Sequence, residues 1–319
     1  MSVRGGASIY EDPAELQNMK VVWAVPTNIW PPSYKIWTYK VIPQEFSPTI
    51  ISNMMALGPF TAKDQIKTPA FMLQVDKKAA YFGIMGIKYL EILPTLGYLK
   101  YHDEYAQAKM VSAIRHVPEP VVGVPNQEET LKLGLKYVRL AGIEVSQLAR
   151  KPGTDDLDLH WDIGSRGWFD TNRNYINETN NYGVFFDRCI DGIPISMCGD
   201  IFVSFGNNAK VMDLEVSWPN LQPYQLLDNF VTPEQVVKSI KSGQTQLPLL
   251  HDWPLDEIKT MTITNASPRY KRNYGDEPMD YVTPVLQLDA IIDNGKTNRY
   301  VWFQTDIFPP GTKKNHTLP

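Results

Sequence analysis

Apolar and polar residues alternate through residues 185–218, FFDRCIDGIPISMCGDIFVSFGNNAKVMDLEVSW, and the alternation breaks at Asp191-Gly192 and at Gly206-Asn207-Asn208. A two-residue period interrupted by turn-forming residues predicts three antiparallel strands joined by two tight turns. Similar short runs predict strands over 34–42, 71–75, 80–84 and 88–92, and again over 259–264, 281–292 and 299–306. Three helical stretches stand between them. Ser47-Pro48 is an N-cap followed by a proline at the first helical position, and it opens a helix over 49–57 that Gly58-Pro59 ends. Asn126 with Glu129 three residues on forms a reciprocal capping pattern, after which Leu131, Leu135 and Val138 share a face. Gly134 on that helix permits close approach to a sheet, and Gly142 closes it. Thr232-Pro233-Glu234-Gln235 caps a third helix, with Val236, Val237 and Ile240 on its apolar side and Gly243 as its stop. Residues 94–125 and 151–181 show little periodicity and read as connections.

A helix followed by a three-stranded meander thus occurs three times. The expected class is α+β, built of repeated units in which one helix packs on a three-stranded antiparallel meander. The expected boundaries are 1–110 for an N-terminal unit with an irregular leader, 111–230 for a central unit, and 231–319 for a C-terminal unit ending in a disordered tail.

Composition narrows the function classes. A charge of -4 over 319 residues offers no electrostatic footprint for nucleic acid, and no apolar run is long enough to span a bilayer. Eight Trp and sixteen Tyr point to an aromatic-rich β core or an aromatic-lined cavity. The N-terminus lacks a hydrophobic signal core, which fits either a cytosolic protein or a chain that begins after a removed signal. Cys189 and Cys198 flank the Asp191-Gly192 turn at positions that can face each other on paired strands, where a disulfide is geometrically feasible. Asn177-Glu-Thr and Asn315-His-Thr are glycosylation sequons, and Asn265-Ala-Ser is weakened by Pro268. Together these favour the secretory pathway or an extracellular setting.

The common catalytic signatures are missing. The five histidines are scattered, and no HExxH, CxxC, GxSxG or GxGxxG pattern occurs, so no metal or other cofactor is expected. What remains is polar and aromatic. His160-Trp161-Asp162 through Arg166 to Trp168-Phe169-Asp170 concentrates a histidine, an arginine and two indoles in one stretch read as a loop. Arg166 and His160 are the catalytic candidates, able to donate hydrogen bonds to developing negative charge, while Trp161 and Trp168 exclude water. The competing reading is a loop packed over a sheet edge with its polar tips in solvent. His251 and Trp253 form a second cluster in a Pro-rich linker, where a single pinning tryptophan is the alternative. On the last strand Tyr300, Trp302 and Gln304 share one side and are candidates for lining a substrate cleft.

Several of these segments resemble a known pattern. Phe186-Asp-Arg188, Ile190-Asp-Gly-Ile-Pro-Ile195, Val203, Gly206-Asn-Asn208, Lys210-Val211, Leu214, Val216-Ser-Trp218 and Thr232-Pro-Glu-Gln resemble the PepSY family, in which a strand ending in arginine precedes "dGiPV" and a "gnnGkv" turn. The likeness covers about 126–306 and the first unit loosely. Ala209 stands where the turn glycine is usual, and the two cysteines interrupt the hairpin. The resemblance implies a cystatin-like helix-on-sheet fold and an exported setting, with the second and third units PepSY-like. It implies no single activity, since such folds host inhibitors, propeptides and ligand binders. A second resemblance, to fungal natural-product-cluster proteins including hetero-Diels-Alderases, carries no residue of this chain.

Two functions follow. One is a cofactor-independent enzyme or binding protein for a hydrophobic small molecule, of the cyclase or pericyclase type, working by orientation and hydrogen-bond activation. The alternative is an exported PepSY-type regulator or inhibitor that binds a protease or sensor domain through a strand edge. The oligomeric state is left open.

Overall fold

In the computed structural model the described residues are 16, 18–26, 36–43, 45–84, 88–103, 120–151, 154–169, 172–196, 201–227, 230–245, 247, 257–271 and 281–306. Among the described residues the protein is mostly β, with 50% in strands and 22% helical, and the strands assemble into two large sheets, one of them a curled half-barrel. The chain divides into two compact units. The first comprises residues 1–39, 223–271 and 282–319, and the second 40–222 and 272–281.

The second unit contains helices α1 (Pro48–Met55) and α2 (Ala70–Val75), then strands β3 (Ala80–Ile84), β4 (Lys88–Leu93) and β5 (Tyr98–Asp103). Helix α3 (Gln127–Leu140) follows, then the long hairpin of β6 (Leu159–Phe169) and β7 (Tyr175–Phe186), the short hairpin of β8 (Cys189–Ile190) and β9 (Ile193–Ser196), and strands β10 (Ile201–Phe205) and β11 (Val211–Ser217). One seven-stranded sheet runs β3-β4-β5-β11-β10-β7-β6, and every neighbour in it is antiparallel.

This topology corrects the expected fold class. The repeated helix-on-meander units do not form, because β5 pairs with β11 and so fuses the strands of the first expected unit to those of the second. A lone three-stranded meander leaves two open edges. Joining two meanders through β5 and β11 removes one edge from each and gives α3 a broader surface to cover.

Local signals held where their chemistry is self-contained. Ser47 accepts from the Ile50 amide at the start of α1. At α3 the Asn126 side chain accepts from the Glu129 amide at 3.0 Å and Glu129 accepts from the Asn126 amide at 3.2 Å, which satisfies two amides that the first turn leaves without partners. Gly134 faces the sheet so closely that a Cβ there would lie 2.9 Å from Phe186 and Val184. The core beneath α3 gathers Leu90, Leu99, Tyr101, Val184, Phe186, Val203 and Leu214 among others.

Three expectations about elements differ from the structure. Residues 70–75 form α2 rather than a strand; Ala, Met, Leu and Gln are good helix formers, and a short apolar run does not by period alone distinguish the two. The stretch 159–169, read as a loop, is the edge strand β6, whose register with β7 shifts between Gly164 and Ser165. The Asp191-Gly192 turn closes its own small hairpin, β8 with β9, while β7 pairs directly with β10. Asp191 (φ 52°) and Gly192 (φ 79°) both have the left-handed conformation that a tight two-residue hairpin demands. Cys198 lies outside the described residues, so the proposed Cys189–Cys198 disulfide does too; across its own hairpin Cys189 stands opposite Pro194.

The first unit contains β1 (Lys20–Trp23), β2 (Ile36–Ile42), β12 (Asn220–Leu227), helix α4 (Pro233–Lys241), β13 (Thr260–Lys271), β14 (Tyr281–Asp293) and β15 (Asn298–Asp306), β2, β12 and β14 crossing its boundary by a few residues. Its sheet follows β12-β2-β14-β13, with β1 parallel to β13 and β15 antiparallel to β14. The Thr232–Gln235 capping box forms at α4, and Val236 and Ile240 are buried with Ile263, Leu288 and Phe303. Tyr270 anchors β2: its hydroxyl donates to the Trp37 carbonyl at 2.9 Å, and its ring meets Tyr39 edge-on. No helix among the described residues is long and apolar enough to cross a membrane.

Candidate functional site

The strand period decides what the seven-stranded sheet presents on each face. On β5 Leu99 and Tyr101 are buried with the core under α3, so Tyr98, Lys100 and His102 point to the opposite face. On β11 Leu214 and Val216 face the core, which turns Asp213, Glu215 and Ser217 the other way. Register then aligns these residues in rows across the strands. The first row reads Tyr89 on β4, His102 on β5, Asp213 on β11 and Ser204 on β10. The second reads Tyr81, Glu91, Lys100, Glu215, Phe202, Phe185 and His160, from β3 through to β6.

Asp213 is the centre of the first row. Its Oδ1 is hydrogen bonded to His102 Nδ1, and its Oδ2 accepts from the Ser204 hydroxyl at 3.2 Å. Ser204 is buried, and the His102 and Asp213 side chains retain only 15% and 19% of their exposure. An ionised carboxylate only accepts, so Nδ1 carries a hydrogen, and in the neutral form of the ring Nε2 is the acceptor. This is not a serine-nucleophile relay, because the Ser204 hydroxyl is bonded to the carboxylate and not to the imidazole. The group oriented for proton exchange is His102.

Aromatic rings flank the pair on both sides. Tyr89 lies 5.2 Å from the His102 ring, centroid to centroid, and Tyr81 stacks on Tyr89 at 5.8 Å. On the other side Phe185 and Phe202 stack at 4.3 Å. Gly183 makes room for that stack, since a Cβ there would lie 2.8 Å from the Phe202 ring.

The second row is crowded with charge. Lys100 Nζ lies 3.4 Å from Glu215 Oε2. Burial raises the Glu91 carboxyl above its usual range, with Lys100 opposing and Glu215 adding to the rise. Burial lowers the affinity of Lys100 for its proton, but Glu215 and Tyr89 outweigh that, and the net shift is upward. Burial, then Lys100 in opposition and Glu91 in support, leaves the Tyr89 phenol above its ordinary value. Burial and the neighbouring Glu215 push Tyr98 far higher still. Both phenols therefore stay protonated at neutral pH and act as donors.

The residues singled out from sequence are distributed differently. His160 lies on this same sheet face, 62% exposed, with Nε2 3.4 Å from Asp187 Oδ2; four strand spacings separate it from His102, about 19 Å. Trp161 points the opposite way, packs on the core under α3 and meets Tyr182 edge-on at 6.0 Å. Arg166 is buried and bound to Glu178, its Nε 2.7 Å and its Nη2 2.5 Å from Oε1. Six residues of extended strand place it about 20 Å from His160, so the two catalytic candidates are not brought together. Trp168 is on β6 opposite Ile176, and Asn177 is exposed on β7 opposite Gly167. Tyr300, Trp302 and Gln304 share the outward side of β15 in the first unit, with Tyr300 64% and Trp302 43% exposed. His251, Trp253, Cys198 and Asn315 lie outside the described residues.

Sequence reading passed over His102 and Asp213. His102 sat in a stretch read as irregular, although Tyr98-Leu-Lys-Tyr-His-Asp103 alternates in the manner of a strand. Asp213 alternates with the apolar residues of β11, which places it on the other side of the strand but gives it no role. No local signal could join residues 111 positions apart.

No family model matches the sequence, and no curated protein matches it. Among solved structures, an uncharacterized protein from Eubacterium rectale ATCC 33656 is similar over 86% of this chain and 85% of that one, with 11% identity and a TM-score of 0.47.

Proposed function

We propose that the second unit binds a hydrophobic small molecule against the His102 face of its seven-stranded sheet and promotes its reaction by orientation and proton exchange. The observation that carries this reading is the Asp213 carboxylate, held by Ser204 on one oxygen and holding the His102 ring on the other. Such an arrangement fixes the tautomer and direction of a base, which a purely structural histidine does not require. Tyr89, protonated and beside the imidazole, supplies a donor for a carbonyl or hydroxyl oxygen. The Tyr81/Tyr89 and Phe185/Phe202 stacks supply flat apolar surface for a ring-bearing ligand. A base and a donor on an apolar platform suit substrates with an acidic hydroxyl or an enolisable carbonyl. Cyclisations and hetero-Diels–Alder additions belong to this class, because they need alignment and hydrogen bonding more than a nucleophile.

The test is a thermal-shift screen of the whole chain against apolar phenols, tropolones and hydroxy-carbonyl compounds, followed by product analysis with the compounds that bind. Wild type is expected to be stabilised by at least one such compound, and Tyr89→Phe and His102→Gln to weaken the shift or abolish turnover. The reading fails if no compound moves the transition, or if both variants bind and react as wild type does.

A further inference from the structure

The first unit has a second surface with recognition chemistry of its own. On β13, β14 and β15 the residues facing away from α4 fall in register, Asn265 opposite Asp289 and Asp289 opposite Trp302. One step along, Ile291 stands opposite Tyr300. Phe303 and Val301, which alternate with these, are buried in the core under α4, so the Tyr300 and Trp302 rings project outward. Tyr300, Trp302 and Ile291 are 64%, 43% and 41% exposed. Two residues of strand separate the rings by about 7 Å.

The polar groups between the rings are organised. Asp289 Oδ2 accepts from the Asn265 amide at 2.8 Å. Burial, with the neighbouring Asp289 carboxylate adding to it, raises the Tyr300 phenol above its ordinary value, so it stays protonated. Asp289 Oδ1 is buried and has no hydrogen-bond partner among the described residues, so Oδ2, whose bond to Asn265 is exposed, is the oxygen a ligand can reach. A carboxylate oxygen has two lone pairs, so Oδ2 can accept one further hydrogen bond beside the two outward rings.

We infer that this face of β13–β15 is a binding surface for a chain of neutral hexopyranose sugars. The C–H face of a pyranose ring stacks on an aromatic side chain, and its hydroxyls donate to a carboxylate and accept from an amide or phenol. Trp302, Tyr300, Asp289 and Asn265 bring those groups to one face of the sheet. The spacing of the rings lets successive sugars along a chain meet Tyr300 and then Trp302. No basic residue stands in the two rows, which disfavours a phosphorylated or sulfated ligand and an anionic membrane. Three exposed apolar side chains also cover far less than the roughly 800 Å² per partner of a stable protein interface.

The experiment is native electrophoresis of the full chain in gels containing laminarin, hydroxyethylcellulose or galactomannan, with tryptophan fluorescence titration against the polysaccharide that retards it. Wild type is expected to be retarded by at least one. Trp302→Ala is expected to weaken binding at least tenfold and Asp289→Asn several-fold, with melting temperatures near that of wild type because both side chains lie on the outer face. Phe169→Ala, which removes an exposed ring of the second unit, is expected to bind as wild type. Wild type migrating equally in all gels overturns the inference, and so does retardation that survives Trp302→Ala unchanged. A His102→Gln variant that still binds polysaccharide separates this surface from the reaction proposed for the second unit.

Discussion

His102 and Asp213 are direct cross-strand neighbours on β5 and β11, joined through Nδ1 and Oδ1 although 111 residues separate them in the chain. The pair exists only because the strands of two expected units merge at that seam. Replacing Asp213 by Asn puts an amide in place of an obligate acceptor, and an amide nitrogen facing Nδ1 drives the ring hydrogen to Nε2. In Asp213→Asn, nitrogen-15 NMR of the imidazole is expected to report the opposite tautomer. Turnover of a compound found by screening is expected to fall by about 10²–10⁴ with little change in binding. An unchanged tautomer would remove Asp213 from the orienting role.

Glu91 makes the stability of the second unit pH-dependent. Burial raises its carboxyl above the usual range in the folded protein, so the native state holds this proton more tightly than the unfolded chain does. Stability from this group therefore falls as pH climbs from the ordinary carboxylate pKa, about 4.3, through the raised folded value. Glu91→Gln is expected to be more stable than wild type at about pH 7 and equal to it at about pH 4. Urea unfolding at the two values checks the sign, and a variant less stable at neutral pH contradicts it.

Gly134 sets how near α3 lies to the sheet. A methyl group there meets Phe186 and Val184 at 2.9 Å, and both belong to the core that would have to yield. Gly134→Ala gains helix propensity of about 1 kcal/mol but overpacks the interface at a cost of about 1–3 kcal/mol. The expected net effect is a lower denaturant midpoint. A stabilised variant would mean that the helix lifts from the sheet without penalty.

Arg166 and Glu178 hold the outer part of the β6–β7 hairpin, beyond the register shift at Gly164. Removing the acid leaves a buried guanidinium with one charged partner fewer. Glu178→Ala is expected to destabilise the protein by about 1–3 kcal/mol and to speed amide hydrogen exchange in residues 165–179 ahead of the rest of the sheet. Exchange that rises uniformly, or not at all, counts against this role.

The parts of the fold that were legible in the sequence are those whose physics closes within a few residues. Ser47, the Asn126–Glu129 box and the Thr232–Gln235 box mark helix starts because a side chain satisfies an amide two or three positions away. Alternation marked β11 and β15 as strands for the same reason, since period two is a property of the extended backbone itself. Even the split of Tyr300, Trp302 and Gln304 from Val301 and Phe303 was readable on that basis. The candidate site was not readable. His160 and Arg166 lie close together in sequence, yet a strand carries them apart, whereas His102 and Asp213 share a hydrogen bond without any local pattern to announce it.

Sequence by itself determined which stretches alternate and where the capped helices α1, α3 and α4 begin, because these follow from backbone period and local hydrogen bonding. Only the tertiary structure decided that β5 lies beside β11, and with it the fold class and the neighbours of His102. An exposed strand edge can be closed by many apolar strands at similar gain. The choice among them rests on the packing of the whole sheet under α3, a sum over residues that no short stretch contains.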